Sequence, residues 1–136
     1  MKSKRLLSIM LSILLTLNIM SLPTLCNDVM PRWENIYFVD IVHGLDSGKA
    51  YCYIYINAFD ETDRIDNVDV VLYQRVGTSL VTVARWDNLS AAGDEFEFYE
   101  IVNNVRGGYT YRLAVTADVH RYGYVETLNT YGDVQY

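Results

Sequence analysis

The side chains able to do chemistry are few. His43 and His120 are the only histidines and so the ordinary neutral-pH bases of the chain. Each falls at the end of an expected strand, the first and the sixth. Neither stands near a glycine-flanked serine or a cysteine in a nucleophile spacing. Both are read as polar residues at strand ends. Glu95 with Glu97, or Glu97 with Glu100, offers the paired carboxylates of glycoside hydrolysis. One short strand gives a sugar no cleft, however, and acids on an edge also discourage sheet-to-sheet pairing. No catalytic residue is assigned, and an enzyme is not expected.

Asp60, Asp63, Asp66 and Asp69 recur every third residue, with Glu61 among them. Such oxygens could ligate Ca²⁺ outside a cell, but the spacing is not that of an EF-hand and Arg64 interrupts it with the wrong charge. The stretch reads as a solvated acidic loop. No metal ligand and no cofactor is assigned. The aromatic residues say more. There are 2 Trp, 4 Phe and 12 Tyr, all beyond residue 26. Tyrosine pairs a large rigid surface with one hydrogen-bonding tip, which suits protein interfaces and stacking on sugar rings. Tyr51, Tyr53 and Tyr55 share one side of a strand with Asn57 as a polar neighbour. They are the candidate ligand-binding residues. The competing role for them is cross-strand packing within the sheet, and a reversed assignment, with the tyrosines in the core, is also open.

These residues must be positioned by strands, since no amphipathic helix is evident. Residues 49–59 have the most regular period of two: Ala50, Cys52, Ile54, Ile56 and Ala58 on one face, Tyr51, Tyr53, Tyr55, Asn57 and Phe59 on the other. Further strands are expected over 35–43, 67–76, 80–86, 95–102, 109–120 and 124–131, with a turn over 44–48 and loops over 60–66 and 87–94. In the fifth, the phase shifts from Phe96 and Phe98 to Tyr99 and Ile101, which suggests a bulge or an early end. Trp86 is expected at a corner after its strand, in a structural role. Cys52 is expected to point into the core as a small hydrophobe. About seven strands with turn signals every ten residues or so predict an all-β fold. Its form is a single antiparallel, immunoglobulin-like β-sandwich, with a small closed barrel as the rival.

The first 26 residues have the layout of a secretory signal peptide: Lys2, Lys4 and Arg5, then an apolar run to Leu22, then Pro23. Cleavage after Cys26 leaves residues 27–136 as one domain. Cleavage after Ser21 would keep Cys26, which could then pair with Cys52 in an oxidising exterior. An uncleaved anchor and a lipoprotein are the remaining alternatives, the second opposed by bulky Leu25. Three cations leave with the leader, so 8 Lys and Arg face 17 Asp and Glu, and the mature net charge is −9. That charge repels nucleic-acid phosphates and anionic lipid. No nucleic acid is expected as a partner, nor a membrane once the leader is gone.

Several short strings carry a likeness: Arg32-Trp33-Glu34-Asn35-Ile36, Ala50-Tyr51-Cys52, Val71-Leu72-Tyr73-Gln74, Ala84-Arg85-Trp86, the run from Gly108 to Ala117, and Glu126-Thr127. Together they resemble small secreted β-sandwich proteins of Gram-positive gut bacteria, a group with no assigned function. The resemblance implies the fold and export and brings no catalytic residues. The Gly-x-Tyr portion also looks like the tyrosine corner of immunoglobulin-like folds, with Tyr111 the bearer and Tyr109 the competitor. The expectation from the sequence is a secreted, non-enzymatic, immunoglobulin-like module that binds an extracellular protein or glycan. A structural or envelope-associated protein without a ligand is the alternative.

Overall fold

The computed structural model describes residues 33–135. The leader, its cleavage position and Cys26 lie outside them. The strands follow the chain as β1 (Ile36–Asp46), β2 (Lys49–Ala58), β3 (Thr62–Val76), β4 (Ser79–Ala92), β5 (Glu95–Asn103), β6 (Thr110–Arg121) and β7 (Tyr124–Gln135). All pairings are antiparallel, and they build two sheets, β1-β2-β5 and β4-β3-β6-β7. This is an all-β, immunoglobulin-like sandwich with the fourth strand on β3 rather than on β5.

The alternation in the sequence becomes the two faces of each sheet. In β2, Cys52, Ile54 and Ile56 are fully shielded and the residues between them face outward. Val70, Leu72, Leu113, Val115, Val119 and Leu128 meet them from the other sheet. Each such aliphatic side chain contributes about 1.5–3 kcal/mol on leaving water. Tyr111 is the largest side chain fully enclosed by this core.

Several expected boundaries are corrected, the larger changes toward longer strands. The turn over 44–48 shrinks to Ser47-Gly48, both at positive φ, the two-residue type I′ geometry that suits the twist of a hairpin. The loop over 60–66 reduces to a turn at Asp60-Glu61, and β4 runs through 87–92. The polar residues there mark outward positions and register shifts, not an absence of pairing: β3 slips between Ile65 and Val68 and again between Val68 and Val70. Trp86 lies within β4 opposite Val70, not at a corner. The break expected in β5 is absent, because its register with β2 is continuous from Glu95 to Asn103. The real bulge in this sheet is in β1, between Ile36 and Phe38.

Candidate functional site

The outer face of β1-β2-β5 is assembled by register. Down the middle of β2 run Tyr51, Tyr53 and Tyr55, half-buried side by side, followed by Asn57. On β1, Val42 stands opposite Tyr53, Asp40 opposite Tyr55 and Phe38 opposite Asn57. On β5, Ile101 stands opposite Tyr51, Tyr99 opposite Tyr53, Glu97 opposite Tyr55 and Glu95 opposite Asn57. Large apolar groups that a sheet normally hides are left open to solvent: Phe38 is 41% exposed, Val42 52%, Tyr99 56% and Ile101 41%. A contiguous exposed patch of this kind marks an interaction site more often than chance exposure does.

The Tyr55 hydroxyl leans diagonally toward β5, past Glu97 to Glu95. Tyr55 donates to Glu95 Oε1 at 2.7 Å, and Asn57 Nδ2 donates to the Tyr55 oxygen at 3.2 Å. Glu97 lies near the Tyr53 hydroxyl. The bond to Glu95 raises the Tyr55 phenol pKa; desolvation, then the Glu97 charge, raises that of Tyr53. Both phenols therefore stay protonated, and the Glu95 carboxylate is held in place on an aromatic wall.

The β1 bulge extends this wall around one end of the sandwich. With the extra residue, Tyr37 and Phe38 both face outward while Ile36 stays in the core. Rings then follow one another: Tyr55 to Phe38 at 5.6 Å, Phe38 to Tyr37 at 5.7 Å, Tyr37 to Phe59 at 5.8 Å. The Arg121 guanidinium lies 5.3 Å from the Phe59 ring and 4.9 Å from that of Tyr122.

The other residues singled out in the sequence are dispersed. His43 is in β1, Nε2 3.4 Å from the Tyr111 carbonyl oxygen, and burial lowers its pKa despite that oxygen and Asp133. His120 is in the other sheet, Nε2 2.8 Å from Asp66 Oδ1, and Asp66 also accepts from Arg64 Nε at 2.6 Å. The Arg64 hydrogen bond, helped by His120, holds the Asp66 carboxyl below its usual range. Asp69 accepts instead from the Asn88 amide. The acidic stretch thus belongs mostly to a strand, and its members turn to different partners. Among the described residues, no three His, Cys, Asp or Glu side chains gather as a metal site would require.

Cys52 is a buried free thiol whose pKa is pushed up to about 11 by desolvation and by Glu100. The Tyr111 hydroxyl donates to the Arg106 carbonyl at 2.9 Å and accepts from the Arg106 amide at 2.8 Å, which is tyrosine-corner geometry. Trp86 stacks edge-on against Phe98 of the facing sheet at 5.0 Å.

Phe38, Val42, Tyr99 and Ile101 join the tyrosine stripe, and the sequence reading left them out. For three of them the local pattern fits once the register is known, and for Val42 there was no signal. Tyr99 and Ile101 continue the parity of Glu95 and Glu97, and adjacent aromatics at Tyr37-Phe38 are what a bulge permits.

No protein-family model and no curated protein matches the chain. Among solved structures, it is similar to the sporulation control protein Spo0M from Bacillus subtilis, with a TM-score of 0.42 and 13% sequence identity. The match covers 72% of this chain and 49% of that one, so the chain spans about half its length. A likeness at this level carries no functional argument.

Proposed function

We propose that the chain is a secreted, non-enzymatic, immunoglobulin-like module that binds an extracellular protein or glycan on the outer face of β1-β2-β5. The leader supports export, and the mature charge argues against nucleic acid and anionic membranes as partners. One observation carries the binding reading. Phe38, Val42, Tyr99 and Ile101 stay exposed around the tyrosine stripe, and strand register joins them with it into one patch. Tyrosine and phenylalanine in that setting give a rigid contact surface with little entropy to lose.

The hydrogen bond from Tyr55 to Glu95 of β5 favours a second reading, in which the stripe only braces the sheet. Tyr53→Ser and Ile54→Ser, compared in one assay, separate the two. Ile54 is fully buried, and its loss should cost at least about 2–5 kcal/mol. The binding reading expects Tyr53→Ser to melt close to the wild type while abolishing capture of the ligand found by glycan array or pull-down. Equal destabilisation by both variants would make the stripe a structural feature and remove the binding reading.

A further inference from the structure

Acids stand on both sheets of the sandwich, but its strand cations are nearly all on one. At the outward positions of β1, β2 and β5 stand Asp40, Asp46, Glu95 and Glu97. The single Lys or Arg among those positions is Lys49, at the far end and paired in register with Asp46. The strand arginines, Arg64, Arg75, Arg85, Arg112 and Arg121, all lie in the other sheet. Several are already occupied: Arg112 makes two bonds to Asp133 at 2.7 and 2.8 Å, and Arg85 one to Asp87 at 3.0 Å. The aromatic face is therefore also the face with acids and almost no cation of its own.

The two features act on the same kind of guest. Glu95 accepts on Oε1 from Tyr55 at 2.7 Å and from Asn57 at 3.5 Å, and both Glu95 and Glu97 retain lone pairs for another donor. The rings beside them present π faces that attract a cation, and a guanidinium or ammonium over a ring with a carboxylate beside it satisfies both. Glu95 and Glu97 are two residues apart on one strand, hence roughly 7 Å apart along it, which is also the spacing of same-side residues in an extended peptide.

From this complementarity, and resting on the binding reading above, we propose that the outer face of β1-β2-β5 docks an extended, lysine- or arginine-bearing segment of another protein. Its cations meet Glu95 and Glu97, and its aliphatic stems lie across Tyr53, Tyr99 and Val42. A neutral sugar chain would leave the charge unused, and a second copy of this acidic chain would be repelled by it.

The test is titration of the secreted chain into fluorescein-labelled deca-lysine and deca-arginine, followed by anisotropy. Saturable binding is expected, and the double variant Glu95→Gln/Glu97→Gln, which keeps acceptors for the tyrosines, should raise Kd about tenfold or more. Tyr99→Ser should weaken binding several-fold with little change in melting temperature. Asp87→Asn/Asp118→Asn makes the same charge change on the opposite sheet and should stay within about twofold of wild type. Three results overturn the proposal: equal weakening by the two double variants, no change on losing Glu95 and Glu97, or dimers that dissociate on Tyr99→Ser. Binding of neutral oligosaccharides that depends on Tyr99 and ignores both glutamates would also overturn it, yet leave the face as a binding site. If Tyr99→Ser and Tyr53→Ser alter no binding of any kind, the broader reading falls as well.

Discussion

Tyr111 shows how one oxygen can hold a connection. Its ring fills the core, and its hydroxyl closes a pair of hydrogen bonds with the backbone of Arg106, in the link between β5 and β6. Tyr111→Phe keeps the ring and strands an amide and a carbonyl in partly buried surroundings. The expected loss is about 1–3 kcal/mol in urea unfolding, because unmade bonds cost more than made ones contribute. An unchanged midpoint would mean that the connection holds without the hydroxyl. The likeness to a tyrosine corner made Tyr111 conspicuous in the sequence. The partner's identity was not, since it depends on how the link folds back.

Between elements, His43 of β1 reports on the closure against β7. A Cβ built on Gly132 of β7 would meet Ile41 Cγ2 at 3.3 Å and the His43 ring at 3.5 Å, so the strands approach closely where a side chain is missing. Burial keeps the imidazole neutral below its ordinary value of 6.5. As pH falls below that value, the unfolded chain takes up a proton that the folded chain refuses, and stability drops until the folded pKa is passed. Melting temperatures from pH 8 to pH 5 should therefore fall more steeply in wild type than in His43→Gln; parallel curves would show that His43 is not held neutral. The lowered pKa values of Asp66 and Asp133 give stability that is lost only further down, as pH falls through values below 3.8. The elements themselves were largely legible. Strict alternation in β2 and β6 marked both strands and both faces, whereas polar stretches in β3 and β4 read as loops because bulges hide their period. The candidate face was legible only along β2. Its neighbours on β1 and β5 are fixed by register between distant segments, which alternation within one strand does not encode.

At the scale of the whole molecule, the sandwich differs by face: a shared apolar interior, a sheet on one side where arginines stand among acids, and an aromatic sheet on the other with acids and almost no cation. The interior also contains Cys52, fully enclosed in the central strand β2. In a chain that begins at Asn27 this is the single cysteine, so the protein carries a built-in clock for its own opening. A colourless thiol reagent can reach that sulfur only when β2 parts from the opposite sheet, and the raised pKa slows adventitious reaction. Modification by excess dithionitrobenzoate should thus follow the rate or the population of global opening and accelerate with urea in step with unfolding. Immediate labelling of the native chain would reveal a local breach in the sandwich. Otherwise the same seal has a chemical benefit: the thiol outlasts any oxidant in its surroundings for as long as the two sheets stay shut.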